Sequence, residues 1–282
     1  MIHRKFVFLA VTLSIAFCAQ CAYAASAPQY LYQLQNAQFS KLRDSNCKYY
    51  VVDPDDSELT ASQLTTLKGQ GKVILAYISI GEAETYRDYW QSSWKEGNPA
   101  FLEKENPDWG GNYKVKFWMP EWQTILLNFL RTHILQKGYS GLYLDIIDAY
   151  YYFENQRPSA KQDMVNFISR IRAETLAVIP GGKIFPQNAV ELYENVGYRQ
   201  LMDGFGVEDT WMDGDKMQPS QQTKYVLNIL KQAKQDGKVV LAVDYPKKQN
   251  NICTFYQKCN AEGLICGAFD RDLTGKLQTC NA

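Results

Sequence analysis

Histidine is nearly absent from this chain: its 282 residues include two, His3 and His133. His3 lies in a segment with the form of an export signal, so a cleaved chain keeps His133 alone. That excludes His-rich zinc sites and nearly all Ser-His-Asp triads. Net charge is absent as well, because 30 basic side chains balance 30 acidic ones. Without a basic field, nucleic acid is not expected as a partner. No Gly-rich phosphate loop follows a strand-like run, which argues against nucleotide binding. No Pro/Gly/Ser linker or low-complexity stretch divides the chain, so it reads as one domain. Hydrolytic chemistry must then come from carboxylates, tyrosines, lysines or cysteines.

His3, Arg4 and Lys5 form a short positive start, Phe6 to Phe17 is an uncharged, mostly apolar run, and Ala22-Tyr23-Ala24 is a small-x-small site. This is the pattern of a secretory signal cleaved after Ala24. The run is too short to span a bilayer comfortably. Neither Cys18 nor Cys21 follows a small residue, which argues against a lipoprotein. The expected product, residues 25–282, is exported to the periplasm or beyond, monomeric and without a membrane anchor. It has 258 residues, with 28 basic side chains against 30 acidic. Its five cysteines are Cys47, Cys253, Cys259, Cys266 and Cys280. Five is odd, so at least one lacks an intrachain partner, and the connectivity stays open. They show no C-x-x-C spacing, and no metal or cofactor is expected. Cys266, inside an apolar run, reads as a packed free thiol.

Apolar runs of strand length alternate with helical patterns. The runs are Tyr49–Asp53, Val73–Ile80, Val115–Trp118, Leu142–Ile147, Lys183–Pro186, Gly204–Glu208, Val239–Tyr245 and Leu264–Phe269. The first helical stretch follows Asp53, with Asp56 or Ser57 as its cap, and ends at Gly69 or Gly71. Later helices are expected over Glu121–Lys137, Lys161–Val178, Ser220–Gln235 and Asn251–Ala261. The runs are continuously apolar, as in parallel strands covered on both faces. Eight such units match a single (β/α)₈ TIM barrel, whose usual size is ~250 residues.

The polar residues cluster at the ends of these runs, where a barrel opens its active-site mouth. They are Asp53; Glu82 and Glu84, with Arg87 nearby; Asp145, Asp148 and Tyr150; Gln187 and Asn188; Glu208, Asp209 and Trp211; Asp244 and Tyr245; and Asp270, Arg271 and Asp272. Turns and helix caps also favour aspartate, which suffices for Asp53, Asp55, Asp56, Asp209 and Asp272. Asp145 differs, being enclosed by Leu144 and Ile146-Ile147. Glu208 follows Gly206-Val207, and glutamate is neither a cap nor a turn former. A charge within an apolar run is expensive unless paired or used. Two carboxylates on one mouth, ringed by aromatics, form the constellation for glycoside hydrolysis. Tyr150, Tyr151, Tyr152, Trp211 and Tyr245 could stack on sugar rings, whereas Tyr77 and Trp118 suit packing better. His133 suits a surface or packing role.

AYISIGEAETYRDYW (Ala76–Trp90), ENPDWGGNYKVKFWMPEW (Glu105–Trp122) and GYSGLYLDIIDAYYYFE (Gly138–Glu154) resemble a family of exported TIM barrels related to glycoside hydrolase family 114. GFGVEDTW, LAVDYP and GAFDRDL, beginning at Gly204, Leu241 and Gly267, are similar to its later signatures. That family contains the endo-α-1,4-polygalactosaminidases. The resemblance implies a retaining mechanism, with Asp145 as nucleophile and Glu208 as acid/base. The chain departs from the polygalactosaminidases in having Asp145-Ile146-Ile147-Asp148 for their D-N-x-D, and Asp209-Thr210 where they tend to carry a cysteine. Met119 stands where the related branch commonly has aspartate.

The leading expectation is an exported retaining glycosidase acting on α-linked, galactosamine-containing polysaccharide. Asp53, Tyr77, Glu82, Arg87, Asp148, Tyr150, Asn188, Trp211, Asp244, Tyr245, Asp270 and Arg271 are the expected substrate contacts. The excess of acids suits a polymer with free amines, although pairing such as Glu84 with Arg87 would neutralise part of it. The alternative is a non-catalytic carbohydrate-binding barrel. A metal-dependent deacetylase or phosphohydrolase is disfavoured by the lack of histidine.

Overall fold

The computed structural model describes residues 28–281, so the expected signal, residues 1–24, lies outside the described residues. Eight parallel strands form the core: β1 (Tyr30–Gln33), β2 (Tyr49–Val52), β3 (Val73–Ser79), β4 (Gly141–Asp145), β5 (Lys183–Pro186), β6 (Gly204–Glu208), β7 (Val239–Asp244) and β8 (Ile265–Ala268). One arc runs β1-β2-β3-β4-β5, and the other β6-β7-β8. A parallel bridge between Gln187 and Gly206 joins β5 to β6. The Gln29 N–H donates to Cys266 O at 2.7 Å and brings β8 back to β1. The result is the expected TIM barrel. Val51, Val52, Ile74, Leu75, Leu142, Leu144 and Val243 are fully buried, as strands packed on both faces require.

Two expectations change together. The run Val115–Trp118 is not a barrel strand. The chain leaves β3 at Gly81 and builds a separate antiparallel sheet, with Asn112–Val115 between Glu82–Glu84 and Leu102–Glu105. The missing barrel strand is Tyr30–Gln33 (YLYQ), which lies just past the export pattern. The omission and the surplus cancel, so Asp145 still ends the fourth strand and Glu208 the sixth.

The barrel interior is strongly aromatic. The Tyr32 and Tyr143 rings lie 5.3 Å apart. Tyr143 fits because β6 offers Gly206: a Cβ there would overlap the Tyr143 hydroxyl and ring.

The stretch after β2 is not one helix capped by Asp56 or Ser57. Asp53 caps Pro54–Ser57, accepting from the Asp55 and Asp56 N–H groups. Glu58 then turns left-handed, and Thr60 starts Ala61–Gly69 in a reciprocal capping box with Gln63. The helix Pro120–Phe129 passes into a π turn at Leu130–Ile134 and a 3₁₀ turn, ending at left-handed Gly138. The helices Ala160–Val178, Ser220–Gln235 and Gln249–Ala261 follow the sequence pattern closely. None of the helices among the described residues is long and apolar enough to cross a membrane.

Cys253 bonds Cys280, and Cys259 bonds Cys266. The expected free thiol at Cys266 is therefore corrected. Cys266 on β8 faces the helix that packs on that strand, within reach of Cys259. Among the described residues the unpaired cysteine is Cys47.

Candidate active site

At the C-terminal ends of β4, β5 and β6 the backbone is strained. Ile146, Asn188 and Asp209 have φ of 53°, 59° and 51°. A β-branched residue in this left-handed region is an outlier, and such strain gathers at functional sites. The bend at Ile146 returns its own N–H to Asp145 Oδ1 at 2.8 Å. Gly81 leaves room for this bend, because a Cβ there would strike Ile146 O.

Asp145 Oδ2 accepts from the Tyr77 hydroxyl at 2.7 Å. Glu208 Oε1 accepts from Asn188 Nδ2, and Oε2 from the Tyr245 hydroxyl, both at 2.8 Å. Asn188 Oδ1 also accepts from the Glu208 N–H at 3.1 Å, so one amide orients both ends of that residue. Burial, then the Glu208 charge, pushes the Asp145 carboxyl up to about 7, against the lowering effect of Tyr77. Burial, followed by nearby carboxylates, holds Tyr77 and Tyr245 well above the usual phenol value, so both remain donors. Burial also raises Asp148.

Asp145 and Glu208 line one cavity of about 700 Å³, together with Asp53, Tyr77, Glu82, Asp148, Asn188, Tyr245 and Arg271. Of the acids, Asp53 is tied to Arg87, and Glu82 is held by Asn106 Nδ2 at 2.9 Å and Lys114 Nζ at 3.2 Å. Arg271 forks onto Asp209 at 2.8 and 3.1 Å and lies 4.2 Å from the Tyr245 ring centroid. Burial raises Asp209 to about 6 despite this cation.

Five expected contacts do not line the cavity. Arg87 is buried behind the wall, bonded to Asp53, Asp55 and Glu84. Tyr150 is buried and donates to Glu191. Trp211 packs edge-on against Phe255, 5.7 Å away. Asp244 is fully buried and accepts the Thr210, Trp211 and Met212 N–H groups at 2.9, 3.1 and 2.9 Å, shaping the loop after β6. Asp270 accepts from Thr274. Strand-end polarity alone does not separate groups that face a cavity from groups that brace its loops.

Sequence reasoning missed Tyr32, Tyr86 and Trp109 as cavity residues. Tyr32 sits on the unrecognised β1, where its hydroxyl donates to Gln187 Oε1 at 2.9 Å. Tyr86 and Trp109 belong to the excursion after β3, whose Trp-rich composition was the available signal. His133 stacks on Phe129 at 4.6 Å and meets Asp88, away from the cavity. Among the described residues no group of three or more His, Cys, Asp or Glu could hold a metal ion.

The model of glycoside-hydrolase family GH114 matches residues 16–282. An uncharacterized protein of Deinococcus radiodurans is 36% identical over 226 residues, covering 79% of this chain and 73% of that protein. One of Thermotoga maritima is 30% identical over 298 residues, covering 97% of this chain and 92% of its own. The glycoside hydrolase domain of PelA from Pseudomonas aeruginosa superposes with a TM-score of 0.69 at 17% identity, over 90% of this chain and 100% of that one. Aspergillus fumigatus Ega3, in a complex with galactosamine, gives 0.67 at 16% identity, over 91% and 96%. At such identities the likeness is one of fold.

Proposed function

This chain belongs to glycoside-hydrolase family GH114, and on that premise we propose that it is an exported, retaining hydrolase of α-linked, galactosamine-containing polysaccharide, with Asp145 as nucleophile and Glu208 as acid/base. The observation that carries this reading is the pairing of the two carboxylates across one cavity, each held by a buried tyrosine and an amide N–H.

Burial, then the charge of Glu208, raises the Asp145 carboxyl to about 7, so Asp145 holds a proton below that pH. A retaining reaction needs that proton off the nucleophile and on the acid/base. As positive charge develops at the anomeric carbon, the anionic form of Asp145 is favoured and the proton belongs on Glu208. Glu208 gives it to the leaving oxygen while Asp145 bonds to the anomeric carbon, forming a glycosyl-enzyme. Glu208 then takes a proton from water, the water oxygen bonds the carbon, and the Asp145 ester bond breaks.

Among the described residues, lining acids (Asp53, Asp55, Asp56, Glu82, Glu84, Asp145, Asp148, Glu208 and Asp272) face a single lining base, Arg271. This field favours a polymer carrying free ammonium groups, even after Arg87 and Lys114 neutralise part of it. Galactosamine bound to Ega3 is consistent with such a substrate.

The test is digestion of amine-bearing and N-acetylated galactosamine polymers, with the first-formed anomer read by NMR. Retained product is expected on the amine-bearing polymer. Inverted product would overturn the retaining mechanism. Release by Asp145→Asn or Glu208→Gln at the wild-type rate would remove those two residues from the catalytic roles. A fluorosugar trap located by peptide mass spectrometry should label Asp145, and a label on Glu208 would reverse the two roles.

A further inference from the structure

Two large aromatic side chains stand exposed on the wall of the cavity. Trp109 keeps 53% of its surface in solvent and Tyr86 keeps 59%, and both line the cavity that holds Asp145 and Glu208. The other strongly exposed aromatics, Tyr151, Tyr152 and Tyr225, do not line it. Exposed aromatic surface beside a cleft marks a place where a partner covers it.

The backbone that carries Trp109 and the ring of Tyr86 are both tied down. The Trp109 turn is closed by the Trp109 N–H to Asn106 O, the Asn112 N–H to Trp109 O and the Asn106 N–H to Asn112 O, at 3.3, 3.2 and 2.7 Å. Asn106 ties the turn to Glu82 at 2.9 Å, and the Gly111 N–H donates to Glu105 at 2.6 Å. Tyr86 donates to Glu84, and the Arg87 guanidinium lies 5.0 Å from its ring centroid. Arg87 is itself locked by three carboxylates. The turn beneath Trp109 and the Tyr86 ring are therefore organised before ligand arrives, which reduces the ordering cost of binding.

Resting on the polysaccharide reading above, we propose that Trp109 and Tyr86 form a sugar-stacking subsite for a ring of the polymer outside the pair of rings being cleaved. Galacto-configured pyranoses carry the C–H groups of C3, C4 and C5 on one face, an apolar patch suited to an aromatic ring. The subsite makes the barrel a reader of chain length.

The test uses the Asp145→Asn protein, so that ligands survive, and calorimetric titration with α-linked galactosamine oligomers from a single ring up to a hexamer. Affinity should rise about ten-fold at the length that reaches the platform. Trp109→Ala in the same background should abolish that step, and Trp109→Phe should keep most of it. An undiminished step in Trp109→Ala would overturn the proposal, as would length-independent binding to the parent protein. The latter result would leave the substrate reading standing, whereas no binding at any length would reject that reading and the platform with it. Without recourse to variants of Trp109, N-bromosuccinimide oxidation of that residue, read by peptide mass spectrometry, should be blocked by the hexamer and not by the single sugar. Equal oxidation in both cases would overturn the platform.

Discussion

Tyr77 on β3 and Asp145 on β4 are joined by a 2.7 Å hydrogen bond that opposes the two largest effects raising the aspartate, burial and the charge of Glu208. The phenol stabilises the carboxylate form. Removing it in Tyr77→Phe should move Asp145 above about 7 and shift the acidic limb of the kcat/KM profile to higher pH. Activity should fall about ten-fold at pH 6 for each unit of displacement, and less at pH 8. A profile that overlays the wild type would show that Tyr77 does not set this ionisation.

The same raised carboxyl destabilises the folded protein at neutral pH. An ordinary aspartate titrates near ~4 when unfolded, whereas Asp145 titrates at about 7 in the fold. Between these values the folded state binds more protons, so this group's contribution to stability falls as pH rises. Asp145→Asn should therefore melt well above wild type at pH 8, the interval from ~4 to about 7 being worth up to about 4 kcal/mol. The gain should shrink toward pH 4 in scanning calorimetry. A difference constant across that range would contradict the linkage.

Arg87 is the structural cation of the site. Its guanidinium is fully buried and binds Asp53 at 2.6 and 2.9 Å, Asp55 at 2.8 Å and Glu84 at 2.8 Å. Burial raises Glu84, and Arg87 holds it down. Arg87→Ala would leave buried carboxylates unpaired at a cost of about 3–5 kcal/mol. Arg87→Lys should recover part of this, because a point charge cannot fork onto both oxygens of Asp53. Chemical denaturation of the three proteins checks the order, and a wild-type midpoint for Arg87→Ala would refute it.

The Cys253–Cys280 bond clasps the residues beyond β8 to the helix Gln249–Ala261 and closes a span of 27 residues. Loop entropy assigns it about 3–4 kcal/mol, and about 2 kcal/mol to the seven-residue span of Cys259–Cys266. Cys280→Ser should lower the melting temperature more than Cys266→Ser paired with Cys259→Ser. Reductant should lower the wild type, and a melting curve indifferent to reductant would refute both assignments.

Most of the barrel was legible because strands buried on both faces must be continuously apolar, and Val239–Asp244 or Val73–Ser79 admits no other reading. Asp145 and Glu208 stood out for the same reason: each charge interrupts such a run. Tyr30–Gln33 escaped notice because four residues of mixed character carry little periodicity. Val115–Trp118 misled because strand composition does not reveal pairing direction, and this segment joins an antiparallel excursion instead. The roles of Arg87, Asp244 and Trp211 were illegible from position alone. Whether a polar strand-end residue faces the cavity or the loop behind it depends on neighbours remote in sequence, such as the 34 positions between Arg87 and Asp53.

The closure between β8 and β1 joins residues 237 positions apart in sequence. No partial chain lacking either strand can complete the ring, so its assembly waits until nearly the whole polypeptide has been made. Such distant pairing carries a large loop-closure entropy and slows folding relative to a chain of local contacts. For the exported chain proposed above, this delay would have a use: an unclosed barrel is still a thread, and a thread can pass through a translocation pore that the finished ring could not.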